Sequence, residues 1–69
     1  MELRNLKLFV DVAATGSFSR AATLAELTQS SVSKAVSLLE AELGARLFDR
    51  TGRGALLTEA GRALLPRAT

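Results

Sequence analysis

Residues 19–39 constrain the fold more than any other stretch, because SRAATLAELTQSSVSKAVSLL is typical of two helices joined by a tight turn. The pattern predicts a short first helix over residues 20–25. Ser19 would cap this helix, since a serine oxygen accepts hydrogen bonds from the free N–H groups of a first turn. Glu26 and Leu27 would form the turn. Because this turn contains no glycine, Glu26 is expected to take an unfavourable backbone conformation.

A second helix is predicted from residue 29 to about residue 43, with Thr28 as its N-cap and Gly44 where a left-handed stop is favoured. At about 100° per residue, the helix has two faces of different chemistry. The apolar face consists of Val32, Ala35, Val36, Leu39 and Leu43. The opposite face carries short hydroxyls and one cation, namely Ser30, Ser33, Lys34 and Ser37.

The serines of this second helix are informative. Serine forms helices less well than the long Glu, Lys and Gln of most solvated faces, so a serine-rich face suits a helix that lies close against another surface. A helix that enters a DNA major groove needs small polar side chains, few acids, and a long amide or cation near its start. Gln29 and Lys34 supply the amide and the cation, and acids occur only later, at Glu40 and Glu42. The alternative is an ordinary amphipathic helix with a solvated, serine-rich face.

An earlier helix is predicted over residues 2–15, with Gly16 as its stop. Its apolar arc is wider than the stripe of about 100° that a helix needs to face one core. One side would therefore pack on the chain's own core and the other on a second copy of the chain. The residues of this helix predicted to contact that copy are Leu3, Leu6, Phe9 and Val10. The alternative is a helix enclosed within a single domain.

The link from this helix to the helix-turn-helix is expected to be anchored in the core by Phe18. Ala21 and Ala22 are small where two helices would cross closely. The residues expected to fill the space between the helices are Leu24, Leu27 and Val32.

After the second helix the sequence predicts a β-hairpin. It has a short strand at Leu47-Phe48, a turn over residues 49–54 (DRTGRG) and a returning strand over residues 55–57. A hairpin that follows a helix-turn-helix is a wing. Arg50 and Arg53 would stand on its tip, where arginines suit phosphates or an A·T-rich minor groove. The alternative is an ordinary solvated turn.

Residues 58–69 predict a last amphipathic helix with Thr58 as its cap. Gly61 and Pro66 weaken this helix, and so short a helix hardly forms alone. It is therefore expected to begin a longer element or to dock on a partner. The residues of this helix predicted to contact a second copy of the chain are Leu64, Leu65 and Ala68.

The composition narrows the function. The 69 residues make at most one domain, and their net charge of +2 permits nucleic-acid binding without requiring it. No apolar run approaches the ~18 residues of a membrane span, so no membrane contact is expected. No His or Cys is present, and no residues have metal-ligand spacing. The chain is therefore expected to be no enzyme and to need no cofactor or metal. A chain without cysteine also suits the reducing cytoplasm.

Four stretches occur in a familiar order: LKLF at residues 6–9, GSFSRAA at 16–22, TQSSVSKAVSLLEAELGARLFDR at 28–50 and LTEAG at 57–61. Together they resemble the N-terminal domain of LysR-type transcriptional regulators over essentially the whole chain. The resemblance implies a mainly α winged helix-turn-helix, with three helices, a short two-stranded wing and the start of a linker helix. Residues 1–57 would form the DNA-binding domain, and residues 58–69 the truncated start of a linker and dimerisation helix.

The resemblance also implies an activity. The domain would bind double-stranded operator DNA as a homodimer, or as a higher oligomer in a longer chain. Its recognition helix would lie in the major groove and its wing on the backbone or minor groove. A small-molecule effector would act only through a larger C-terminal domain that this chain lacks, and the regulator would be cytoplasmic.

Family roles fall on matching positions of this sequence. Gln29 and Lys34 would read bases, Ser33 would contact a phosphate and Arg20 would lie near the backbone. The DNA contacts implied are Arg20, Thr28, Gln29, Ser30, Ser31, Ser33, Lys34, Ser37, Arg50 and Arg53. The family often has Pro at position 30 and Arg at position 34, and Lys34 lacks the bidentate fork of arginine. It is also often polar where Leu24 stands.

Two alternatives to this interpretation stay open. One is a winged helix that binds a protein, which would need no cation at Lys34 or Arg53. The other is a DNA-binding domain of a different winged-helix family, whose last helix would not continue into a dimerising linker.

Overall fold

The computed structural model describes residues 1–52 and 54–68. The chain is mainly helical, with one two-stranded antiparallel sheet, as the sequence predicts. Its elements in chain order are α1 (Leu3–Thr15), α2 (Phe18–Ala25), α3 (Gln29–Leu43), β1 (Phe48–Thr51), β2 (Gly54–Leu57) and α4 (Glu59–Ala68). Among the described residues, no helix is both long enough and apolar enough to cross a membrane.

Helix α1 ends where the sequence predicts. Gly16 adopts φ 68° and ψ 18°, and its N–H donates to the carbonyl oxygen of Val12 at 2.8 Å. A residue with a side chain would be strained at this positive φ, so the glycine makes the stop possible.

Helix α2 begins two residues earlier than predicted, and Ser17 caps it rather than Ser19. The Ser17 hydroxyl oxygen accepts from the N–H of Arg20 at 3.1 Å. Ser19 lies inside the first turn, where its carbonyl oxygen accepts from the Thr23 hydroxyl. Phe18 sets the residue at which α2 begins. Its side chain is buried, so the first residue of the helix belongs to the core.

The turn between α2 and α3 confirms the expectation for Glu26. This residue has φ 58° and ψ 41°, and it is the one described residue other than glycine with a positive φ. Its N–H closes α2 by donating to the carbonyl oxygen of Ala22 and to that of Thr23. The unfavourable conformation is therefore the cost of turning tightly into α3.

Helix α3 has the predicted bounds and caps. The Thr28 hydroxyl oxygen accepts from the N–H of Ser31 at 3.1 Å, and Gly44 adopts φ 67° at the other end. The apolar face is buried as predicted at Val32, Ala35, Val36 and Leu39. Leu43 is an exception, since it is 41% exposed and lines a surface groove with α4.

Three phenylalanines form the centre of the core. The Phe48 ring lies 5.4 Å from the ring of Phe9 and 5.5 Å from that of Phe18, the latter in an edge-to-face arrangement. Phe9 is fully buried by this cluster, so the prediction that it contacts a second chain is wrong. Leu24 was predicted to fill the space between helices, but it is 68% exposed. Of the other two residues predicted there, Val32 is buried and Leu27 is half-buried against the core.

The wing has longer strands and a shorter turn than predicted. Phe48 pairs with Leu57 at one end and Thr51 with Gly54 at the other, so residues 49–51 belong to β1 rather than to the turn. The wing is fixed to the turn after α1, because the N–H of Ala55 donates to the carbonyl oxygen of Gly16 at 2.9 Å. A Cβ at Gly54 would overlap that same oxygen, so this contact needs a glycine.

Helix α4 starts after Thr58, which caps it as predicted. The Thr58 hydroxyl oxygen accepts from the N–H of Gly61 at 3.1 Å, and the hydroxyl donates to the carbonyl oxygen of Arg46. The helix packs on α1 and β2. Thr69, the last residue of the predicted helix, lies outside the described residues.

Candidate nucleic-acid interface

The N-terminal turn of α3 presents a set of hydroxyls that are ordered by one another. The Thr28 hydroxyl donates to the hydroxyl of Ser31 at 2.8 Å and lies 3.3 Å from that of Ser30. All three residues are exposed. These side chains are short and partly fixed in position. A second surface can therefore approach the helix backbone closely at this turn.

Gln29 and Lys34 extend from the same part of α3 into solvent. Both are exposed, and neither side chain has a hydrogen-bond or ion-pair partner among residues 1–52 and 54–68. The amide of Gln29 can donate and accept at once, and the ammonium of Lys34 can donate three hydrogen bonds. These two side chains are therefore free to contact a ligand.

Arg50 lies beside this face of α3, although it comes from the wing. It sits within β1, paired with Ala55, and so not on the hairpin tip as predicted. Its Nη2 donates to the Ser33 hydroxyl oxygen at 2.9 Å, and its guanidinium carbon stands 3.9 Å from the centre of the Phe18 ring. The structure thus brings the wing and the recognition helix together at one arginine.

The remaining described residues predicted to contact DNA do not form such a direct contact with Arg50. Ser37 is exposed on α3, one helical turn beyond Ser33, and lines a cleft with Arg50. Arg20 is exposed on α2, and its side chain makes no hydrogen bond or ion pair with another described residue. Arg53, the second predicted wing arginine, lies outside the described residues.

Glu40 stabilises the fold through contacts that the sequence pattern does not predict. Its Oε2 accepts from the N–H of Leu47 at 2.8 Å and lies 3.9 Å from Nε of Arg46. The carboxylate is thus engaged by the segment that leads into the wing. Glu42 pairs with the N-terminal ammonium of Met1 at 3.1 Å. The first three turns of α3, up to Leu39, contain no acid that would repel an anionic partner.

The residues predicted to contact a second copy fall into two groups, apart from the buried Phe9. Leu3 is 82% exposed at the start of α1. The others are half-buried and pack partly on the chain's own core: Leu6, Val10, Leu64, Leu65 and Ala68. Part of their apolar surface is therefore already used within the chain.

The sequence matches the family described as the bacterial regulatory helix-turn-helix proteins of the lysR family, over residues 3–62. The chain belongs to the LysR family. Its recognition as a member from the four sequence stretches is confirmed, and so is the winged helix-turn-helix.

LysR-family relatives share the whole of this chain but are longer. An HTH-type transcriptional regulator in the ibpB-leuC intergenic region of Azotobacter vinelandii is 59% identical over 68 residues, which are 99% of this chain and 47% of that protein. The HTH-type transcriptional regulator TfdT of Cupriavidus pinatubonensis is 44% identical over 68 residues, or 99% of this chain and 30% of that protein. The chain thus spans less than half the length of these curated relatives, which are named as regulators and not as enzymes.

Solved LysR-family structures superpose closely on this fold. The DNA-binding domain of CbnR in complex with DNA matches with a TM-score of 0.95 and 41% identity, over 99% of this chain and 78% of that one. The DNA-binding domain of BenM on the catB site 1 DNA matches with a TM-score of 0.93 and 37% identity, over 99% and 76%. At these identities the likeness concerns sequence as well as fold.

Proposed function

We propose that this chain is the DNA-binding domain of a LysR-family transcriptional regulator and that it binds operator DNA as a homodimer. Helix α3 would enter the major groove, and the wing would lie on the backbone or in the minor groove. One observation carries the proposal: α3 has an exposed face without acids up to Leu39, and the wing arginine Arg50 donates to Ser33 on that face. The long polar side chains of this face, Gln29 and Lys34, have no partner in the part of the chain that the structure describes. The CbnR and BenM domains, which share this fold, are found on DNA.

The side chains of α3 suit different parts of a duplex. The amide of Gln29 can form two hydrogen bonds with an adenine edge, and the ammonium of Lys34 can donate to guanine acceptors. The short hydroxyls of Thr28, Ser30, Ser31, Ser33 and Ser37 suit phosphate oxygens, which position a protein without specifying a sequence. Arg20 and Arg53 would add charge at the backbone. This division predicts that Gln29 and Lys34 carry sequence preference and that the others carry general affinity.

The homodimer would form through α1 and α4. Leu3 offers a largely exposed side chain, and Leu64, Leu65 and Ala68 offer the half-buried face of a helix that packs on α1 and β2. Because the relatives are longer, further contacts and any effector site would belong to other parts of the regulator. As a regulator of transcription it would act in the cytoplasm and need no cofactor in this domain.

A salt titration tests duplex binding directly. The affinity of the chain for a labelled duplex of mixed sequence would be measured by fluorescence anisotropy at several salt concentrations, with Lys34→Ala and the matched control Lys7→Ala on α1. We expect Lys34→Ala to lower affinity, because the duplex loses one ammonium that faces it, and to flatten the log–log slope by at most about 0.9, the contribution of one phosphate-neutralising cation on B-DNA. Lys7→Ala should leave both quantities unchanged.

The same experiment addresses the protein-binding alternative. A winged helix that binds a protein would show no duplex binding even at low salt, or equal effects of the two lysine substitutions. Either result would contradict the proposed function.

A further inference from the structure

Arg50 joins three elements of the fold at one point. It belongs to β1, its guanidinium donates to Ser33 of α3 at 2.9 Å, and it lies 3.9 Å above the ring of Phe18, the first residue of α2. The Arg50 side chain forms a hydrogen bond from the wing to α3. This hydrogen bond links the exposed part of the wing to the recognition helix, in addition to the core packing of Phe48.

The chemistry of the contact needs arginine in particular. A planar guanidinium can lie flat on an aromatic face and still donate from its edge, whereas a lysine ammonium is a point charge that can do only one of these well. Ser33 accepts the hydrogen bond, so its own hydroxyl hydrogen is directed elsewhere and stays available to a partner.

The Phe18 side of this contact belongs to the hydrophobic core. The Phe18 ring packs edge-to-face on Phe48 at 5.5 Å, and Phe48 packs on Phe9 at 5.4 Å. Phe48 stands two residues before Arg50 in β1, so both side chains leave the strand on the same side. One strand face thus supplies the core aromatic and, next along, the arginine that reaches α3.

We propose that Arg50 is a positioning residue. The Ser33–Arg50–Phe18 bridge, as we call these contacts, holds the wing against the recognition helix before DNA arrives and fixes the spacing at which the two meet the duplex. This role rests on the proposed DNA-binding function, and it differs from a simple phosphate contact because it depends on the shape of the guanidinium and not only on its charge.

The first arm of the test uses the protein without DNA. Because the Arg50 side chain lies on an aromatic face, we expect its NMR proton signals to be shifted upfield from those of the other arginines. A control arginine, Arg67, is exposed on α4 and should show ordinary shifts. Ordinary shifts for Arg50 as well would show that the bridge is absent in solution and would overturn the proposal.

The second arm is a double-mutant cycle on a bound duplex. Arg50→Lys keeps the charge, and Ser33→Ala removes the acceptor. Since a hydrogen bond to a charged group carries about a tenfold effect, we expect Arg50→Lys to weaken the Kd about tenfold. Ser33→Ala should weaken it at least as much, because it also removes the proposed phosphate contact of that hydroxyl. Adding Arg50→Lys to Ser33→Ala should then weaken the Kd no further. The salt slope of Arg50→Lys should equal that of the parent, and Arg67→Lys should bind like the parent.

The outcomes separate the two proposals. Full affinity in Arg50→Lys would mean that the charge alone suffices, and a further loss of about tenfold when Arg50→Lys is added to Ser33→Ala would mean that the two residues act independently. Either result would overturn the positioning role alone. Failure of the parent chain to bind any duplex would overturn the proposed function and the bridge's role in DNA binding with it. In that case the upfield shifts would still report whether the bridge forms.

Discussion

Gly61 of α4 lies directly against Leu47, the residue that leads into the wing. A Cβ at Gly61 would overlap the carbonyl oxygen of Leu47 and would stand 2.7 Å from Cδ2 of Leu57. The same carbonyl oxygen accepts from the N–H of Thr58 at 3.0 Å. The start of α4 is therefore packed on the base of the wing with no room for a side chain.

Gly61→Ala should destabilise the domain by about 1–3 kcal/mol, because the backbone carbonyl it meets cannot move without disturbing the start of α4. Urea unfolding followed by circular dichroism measures this. Gly52→Ala is the matched control, since a Cβ there meets nothing within 4 Å. It should stay within about 0.5 kcal/mol of the parent. Equal stability of the two variants would mean that α4 does not dock on the wing in solution.

Ser17→Ala should cost about 1 kcal/mol of unfolding free energy, the usual effect of losing an N-cap hydroxyl. Ser19→Ala removes a hydroxyl two residues away that caps nothing, so it should change stability by less than about 0.5 kcal/mol. The pair is compared by thermal or urea unfolding at one pH. If Ser19→Ala proves the more costly variant, α2 begins at the later position that the sequence pattern favours.

Glu26→Gly should stabilise the domain. Relief of the left-handed conformation gains about 1–2 kcal/mol, and the greater freedom of glycine in the unfolded chain offsets part of this, leaving roughly 0.5–1 kcal/mol. Ala41→Gly, at an exposed position inside α3, is the control and should cost about 1 kcal/mol. A loss of stability in both variants would show that the turn after α2 is not left-handed at Glu26.

Gln29→Ala should relax sequence preference rather than abolish binding. If the amide reads a base edge, its loss should remove about 1–3 kcal/mol of discrimination between a cognate duplex and a scrambled one. Competition titrations with the two duplexes measure the difference, with Glu42→Gln at the far end of α3 as a control. Equal weakening on both duplexes would assign Gln29 to the backbone and not to the bases.

Features set by local chemistry could be predicted from the sequence. The stops at Gly16 and Gly44 and the cap at Thr28 depend on a few neighbouring residues, so the pattern alone places them correctly. The strain at Glu26 follows in the same way, because a tight turn without glycine leaves few conformations.

Features set by distant contacts could not be predicted. Ser17 and Ser19 are both good caps, and the burial of Phe18 decides between them. A helical wheel for α1 shows that Phe9 is apolar but not which side meets the chain's own core. Arg50 belongs to β1 and not to the turn because it pairs with Ala55 in the wing. That register depends on the close contact between Gly54 and Gly16.

In the candidate interface, too, the residues set by local pattern could be predicted and those set by distant contacts could not. The polar face of α3 follows from the helical periodicity of a single segment, so Gln29 and Lys34 could be predicted as DNA contacts from the sequence. The hydrogen bond from Arg50 to Ser33 spans 17 residues, and that from Leu47 to Glu40 joins a helix to a loop. No sequence spacing indicates either contact, since each depends on how the wing packs on the helices.

The most direct test of the central claim is selection of binding sites from a random duplex library at moderate salt, followed by sequencing. The account predicts enrichment of an inverted repeat with a fixed half-site spacing, because two copies of α3 would read two successive major-groove faces. Repeating the selection with Gln29→Ala should reduce the enrichment of the bases that Gln29 contacts. A library that emerges without any enriched sequence would contradict site-specific binding by this domain.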